Sequence, residues 1–318
     1  MSDEMGLFTI SLDTELAWGT FDTKKGYERY ETAYLRARDI ITDLCNLFDE
    51  YTVPATWAIV AHLLDNCDGT HDSFPMINLE WINDWYGSLP CATGIDPELW
   101  YAPEILEVIH NCTVKQDIGL HGYSHLILGA PNCSREISQW EVTTAVETLE
   151  DHGIEPSSFV YPRNQIDHID VLAEAGLEVY RGRDDIWFER WNIPDISRKP
   201  FRFLNEALSW DPPVVTPKKH QGMIEVPGSQ VFRPFHDGWE YTPNWTQVSR
   251  AKTGLDKAAR TGQIFHLRFH PFDLGFDPQL LLSRLEEILS YANRLREEGD
   301  LKIVSLKEIA NEDCMSKL

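Results

Sequence analysis

The chain reads as an α/β protein, most simply a single β/α barrel. Three observations predict this. Short apolar runs rich in β-formers alternate with amphipathic helical stretches, the pattern of a parallel sheet. Polar, chemistry-bearing residues recur at the C-terminal ends of those runs, as they do on one face of a barrel. The 318 residues contain no linker that would divide them.

In chain order, Gly6 to Asp13 (GLFTISLD) is an apolar first strand that ends in a carboxylate. Thr32 to Asp49 has helical spacing in Leu35, Ile40, Ile41, Leu44 and Phe48, with Thr32 as candidate cap. Pro54 to Leu64 reads as the second strand. Residues 65–103 break the rhythm with Trp81, Trp85, Trp100 and several Pro and Gly, and form an aromatic-rich insertion in an otherwise single domain spanning 1–318. Exposed tryptophans there would offer flat faces to sugar rings, and packed ones would fasten the insertion to the body. Pro103 to Asn111 is a short helix, and Lys115 to His121 a third strand. Ser134 to His152 is a helix with a serine at its start and Gly153 beyond its end.

Ser157 to Pro162 is a fourth strand, followed by Arg163 and Asn164. His168 to Ala175 is helical, and Leu177 to Tyr180 is a strand running into Arg181. Phe188 to Ser209 is ambiguous and partly helical. Gly222 to Val226 is a strand, 232–243 a loop, Trp245 to Thr261 a helix and Gln263 to His270 a strand. Pro278 to Glu298 is a strongly amphipathic helix, and Leu301 to Leu306 a final strand. That gives seven or eight strands. No Gly-rich phosphate loop or dinucleotide fingerprint interrupts them.

Composition narrows the function. Lys+Arg number 28 and Asp+Glu 51, a net charge of −23, which argues against nucleic acid and anionic membrane as partners. The same acidity suits a salt-rich cytoplasm. The six cysteines are scattered without a Cys-x-x-Cys pair and read as reduced thiols acting as small apolar residues. The N-terminus lacks the basic and apolar regions of a signal peptide, and no run of about 18 apolar residues exists. A cytoplasmic protein with an intracellular substrate is the expectation.

The strand ends carry the chemistry. The first offers Asp13 and Glu15, two positions apart and so on one side. The third offers His121 and His125 around Gly122, a pair that can meet at one metal. Two imidazoles and a carboxylate make an open metal site with room for water and substrate. The seventh offers His270 before Pro271, a candidate general acid. His266, four residues earlier, lies about 13 Å further along the strand and reads as structural. The fourth offers Tyr161 and Arg163, whose guanidinium suits a carboxylate or a substrate oxygen.

In this order, Asp-x-Glu, then His-Gly-Tyr-Ser-His, then a Pro/Arg turn, then a late His-Pro, the chain resembles the polysaccharide deacetylase (NodB-homology, carbohydrate esterase family four) superfamily from about Leu7 to Leu306. The resemblance implies a distorted (β/α) barrel with about seven parallel strands. It implies a divalent metal, zinc first, and hydrolysis of an N-acyl group on an amino sugar. By position, Asp13 is then the general base, oriented by Arg163. Glu15, His121 and His125 hold the metal, and His270 protonates the leaving amine. Tyr161, through its backbone N–H, and Trp18 are the candidate substrate-binding residues. Glu15 departs from the family's aspartate by one methylene, and the Pro-Arg-Asn order at 162–164 departs from the usual Arg-x-Pro. Both departures point toward a subgroup of glycan synthesis. Two other readings stand beside this one. One is a metal-independent glycosidase using Asp13 and a second carboxylate. The other is a non-catalytic glycan-binding barrel working through the tryptophan-rich insertion.

Overall fold

The computed structural model describes residues 5–310 except 24–25, 66, 71–73, 92–95, 186–202, 206, 208 and 244. Its strands are β1 (Gly6–Thr14), β2 (Thr56–Ile59), β3 (Asp117–Leu120), β4 (Ser158–Val160), β5 (Val179–Gly182), β6 (Lys218–His220), β7 (Met223–Pro227), β8 (Gln230–Val231), β9 (Ile264–Phe269) and β10 (Leu301–Ile303). The helices are α1 (Glu31–Glu50), α2 (Glu104–His110), α3 (Arg135–Asp151), α4 (Ile169–Glu174), α5 (Thr246–Thr261), α6 (Pro278–Glu298) and α7 (Leu306–Ala310).

The sheet order is β6-β7-β5-β4-β3-β2-β1-β9-β8, with β10 beside the start of β1. Among the described residues, the pairings between these strands are parallel except the β6–β7 hairpin, and an isolated antiparallel bridge joins Val215 to Ile264. One continuous segment closes the ring. Ile224 to Pro227 pair with β5, and Gln230 and Val231 pair with β9 only three residues later. Counting β7–β8 as one stave, the barrel has seven parallel staves, distorted where β3 and β4 share a single register pair, Leu120 with Phe159.

Every residue of β1 is buried, because helices cover its outer face and the barrel encloses its inner one. Alternation then sorts the strand. Phe8, Ile10 and Leu12 join the main apolar core, while Ser11 and Asp13 turn toward the buried Arg181. Leu7, Val179, Ile224 and Ile264 pack with Leu306 and Ile309 of α7 in a second apolar cluster. Apolar packing thus closes the end of the barrel where these strands begin and leaves the polar end for the site.

Several elements differ from the sequence expectation. The second strand is only β2, because Ala61–Leu64 turn into a 3-10 helix. The last strand stops at Ile303, and Leu306 begins α7. The hairpin strand β6 and the short β8 were not expected. Thr32 does not cap α1, which starts one residue earlier without a side-chain cap. Ser134 does cap α3, its hydroxyl accepting from the Ile137 N–H. Most of 188–209 lies outside the described residues. Among the described residues, no helix is long and apolar enough to cross a membrane.

Candidate active site and metal centre

The C-terminal ends of β1, β3, β5 and β9 open on a cleft of about 410 Å³. Asp13, Glu15, His121, His125, Arg163, Arg181 and His270 all line it, so sequence positions spread over some 250 residues meet there. Glu15 follows β1 and is buried, with Oε2 3.2 Å from His121 Nε2 and 3.1 Å from His125 Nε2. The three donor atoms lie within 4.8 Å of one another.

Local structure fixes each donor. His121 Nδ1 donates to the Val160 carbonyl at 2.7 Å, which leaves Nε2 bare toward the cleft. Gly122 has φ +80°, which lets the chain turn between the two histidines. His125 itself is held at φ +65°, a conformation disfavoured for residues with a Cβ. The loop is pinned from outside by Ser124. Its N–H donates to buried Glu141 of α3 at 2.7 Å, and its hydroxyl accepts from Trp85 Nε1 at 2.9 Å. The longer side chain of Glu15 is accommodated by Gly19. A Cβ there would lie 1.9 Å from Glu15 Oε1, so the carboxylate occupies space that any other residue would fill. The donor set of two imidazoles and one carboxylate, with this cradle around Glu15, fits a divalent ion.

Asp13 lies beside that cluster, its Oδ2 3.9 Å from His121 Nε2. Arg181 of β5 grips it with both terminal nitrogens, one at 2.7 Å from Oδ2. Arg181 also donates to Ser11 Oγ at 3.1 Å and Asn164 Oδ1 at 3.2 Å. Burial pushes the Asp13 carboxyl up, but Arg181 holds it far below the usual carboxylate range. Glu15 behaves alike: burial raises it, and His270, His125 and His121 together hold it well below. Burial lowers His125, against the opposing pull of Glu15.

His270 sits across the mouth, with Nε2 3.8 Å from Asp13 Oδ2 and 3.7 Å from Glu15 Oε1. Its Nδ1 is 3.0 Å from Asp273, whose other oxygen is 2.9 Å from His236 Nε2. Burial would depress this imidazole, yet Glu15, Asp273 and Asp13 together raise it to about 9.

Two sequence assignments change. Arg163, expected to orient Asp13, instead pairs with Asp22 and lies over the Trp81 ring at the rim; Arg181 makes the expected contact. Trp18 is fully buried, donates from Nε1 to the Trp100 carbonyl at 2.7 Å and packs edge-on against His62 and Trp100, so it presents no face to a ligand. The Tyr161 side chain is buried, its hydroxyl donating to the Asp167 carbonyl at 3.0 Å, a contact that does not involve the backbone N–H expected to bind substrate. The aromatic residues that do line the cleft are Tyr30, Trp239 and Phe272. Of the three tryptophans in the insertion, Trp85 and Trp100 are buried and Trp81 is exposed. The residues missed were Arg181, Asn164, Gly19 and Asp273. For Arg181 a signal existed: a charged residue inside an apolar strand demands a buried partner.

No protein-family model matches the chain, and no curated protein sequence matches it. Solved structures do. A Mycobacterium smegmatis protein described as a polysaccharide deacetylase matches with TM-score 0.62 at 15% identity, over 100% of this chain and 93% of that one. The PuuE allantoinase matches with TM-score 0.61 at 12% identity, over 96% and 88%. A 4-alpha-glucanotransferase from Thermococcus litoralis matches with TM-score 0.54 at 12% identity, over 96% of this chain and 40% of that one. The fold is therefore that of the polysaccharide deacetylases, a distorted (β/α) barrel. Proteins described as a deacetylase, an allantoinase and a glucanotransferase share this fold, so the chemistry of this chain rests on its own site.

Proposed function

We propose that the protein is a metal-dependent hydrolase that removes an N-acyl group, acetyl or formyl, from an amino sugar, an intermediate of cell-surface glycan synthesis. The observation that carries this reading is the convergence of Glu15, His121 and His125 beside an arginine-gripped aspartate and a protonated histidine. Glu15, His121 and His125 would hold a divalent ion, zinc above others. Such an ion polarises a carbonyl and acidifies water. Asp13, ionised and fixed by Arg181, accepts the proton of the attacking water. His270, an imidazolium steadied by Asp273, donates a proton to the departing amine nitrogen. Arg163 and Asn164 border the cleft where substrate oxygens would lie, and Tyr30 and Trp239 supply faces for a sugar ring. The cleft volume suits a small sugar unit better than a long polymer.

The electrostatics weigh against a glycosidase. That chemistry needs one carboxyl group held protonated, and both Asp13 and Glu15 are pushed down, not up.

The test is amine release from N-acetylated and N-formylated amino sugars, free and nucleotide-linked, with and without a chelator. Metal-sensitive release of amine together with the free acid is expected. Cleavage of a glycosidic bond instead, or release indifferent to the chelator, would sink the reading.

A further inference from the structure

Among the described residues, a second cluster of side chains that could hold a metal ion lies outside the cleft, at the root of the tryptophan-rich insertion. His62 lies in the 3-10 turn Ala61–Leu64 after β2, and Cys67 and Cys91 come from the two arms of the insertion. Their ligand atoms all lie within 4.8 Å of one another. His62 is fully buried, and its Nε2 is 3.0 Å from Cys91 Sγ. A tetrahedral ion held by sulfur and nitrogen spaces its donors roughly 3.5 Å apart, so small side-chain adjustments would centre one here.

A second, independent feature points the same way. His62 Nδ1 is 2.9 Å from Asp65 Oδ2, and that same oxygen accepts from the Tyr123 hydroxyl at 2.8 Å. A carboxylate bound to one imidazole nitrogen orients the ring so that the other nitrogen faces the sulfurs, an arrangement that metal-ligating histidines use repeatedly. The Tyr123 hydroxyl fixes the carboxylate in turn. Tyr101 places a buried hydroxyl beside Cys91, so an oxygen is on hand for a fourth position.

We propose that His62, Cys67 and Cys91 form a structural zinc site, with Asp65 orienting the histidine. Two soft thiolates and an imidazole select zinc over the harder divalent ions. The site would staple the two arms of the insertion to the barrel. It would also brace the loop that carries His121 and His125. The His62 N–H donates to the Tyr123 carbonyl at 2.8 Å, the His62 ring packs on Tyr123, and Trp85 of the insertion donates to Ser124. The proposal makes Cys67 and Cys91 ligands and not small apolar filler.

The experiment loads metal-stripped, reduced full-length protein with cobalt(II) and reads binding stoichiometry and absorption together. Thiolate-bound cobalt gives an intense near-ultraviolet charge-transfer band that a site of histidines and a carboxylate lacks. Two equivalents per chain, one for each cluster, and the band are expected. Cys67→Ser and Cys91→Ser should each lose the band and one equivalent. Glu15→Ala should keep the band and lose the other equivalent, which separates this site from the proposed active site. Wild-type protein that binds cobalt without the band overturns the proposal, whether or not the cysteine variants fold. So does a Cys67–Cys91 disulfide in peptide maps of protein purified without reductant, where six free thiols are expected.

Discussion

His266 and His270 stand four residues apart at the end of the same chain segment, and the protein gives them different charge states, one neutral and one positive. His266 lies inside the barrel on β9, fully buried, with Nδ1 3.1 Å from the Pro227 carbonyl and Nε2 2.9 Å from Ser11 Oγ. Burial pushes it down to about 3, and nearby Arg181 adds to the push. A neutral ring satisfies every partner: Nδ1–H donates to Pro227, and Nε2 accepts from Ser11, whose oxygen accepts from Arg181. His270 also loses water at the mouth, but three carboxylates outweigh that loss and raise it to about 9. Burial is common to both; the neighbours decide the sign. One histidine thus belongs to the scaffold that aims Arg181 at Asp13, and the other is the charged group facing the cleft.

His270→Gln should lower kcat by about 10²–10⁴-fold, the range of a lost general acid, with metal content unchanged. Full activity in that variant would remove His270 from the chemistry. Arg181→Lys keeps the charge but loses the two-pronged grip on Asp13, and should cost about 10² in kcat. Arg163→Lys should change kcat/KM by less than about tenfold, roughly 1.4 kcal/mol. Equal losses in steady-state assays of the two variants would restore Arg163 to the role that sequence order suggested.

Gly19→Ala places a methyl group where Glu15 Oε1 lies. By calorimetric titration it should weaken metal affinity about 10–100-fold. Unchanged affinity would mean that Glu15 does not bind the ion. The remaining effect is on stability and concerns His266. Its native pKa lies below its unfolded value of 6.5, so the unfolded chain binds the extra proton at acid pH. The stability it contributes is complete above about pH 6.5 and is lost as the pH falls toward 3, at up to about 1.4 kcal/mol per pH unit. Denaturant melts of His266→Gln should show a shallower acid limb than wild type between pH 6.5 and 4. Identical limbs would mean that His266 is charged in the native state.

The strands that carry the site were legible because parallel barrel strands are buried on both faces and so read as apolar runs ending in polar residues. GLFTISLD and QIFHLRFH are such runs. The histidine pair was legible because His121, Gly122 and His125 are local: one glycine and one turn bring the rings together. Arg181 was not, since its contact to Asp13 joins β5 to β1 across 168 positions, and Arg163 stood closer to the expected motif order. Trp18 failed for a related reason. An aromatic residue just after a strand that ends in carboxylates resembles a sugar platform, and Trp100 and Tyr101 from the far end of the insertion, with Phe21 and His62, bury it. Cys67 and Cys91 looked scattered because the insertion brings together residues 24 positions apart.

The account rests on one ion at Glu15, His121 and His125 serving amide hydrolysis. Its most direct test follows amine release from an N-acetylated amino sugar by metal-stripped protein as zinc is returned. Wild-type activity should be absent when stripped and recover as zinc binds, while His125→Ala stays inactive at every zinc concentration. Undiminished turnover by the stripped protein, or by His125→Ala, would contradict it.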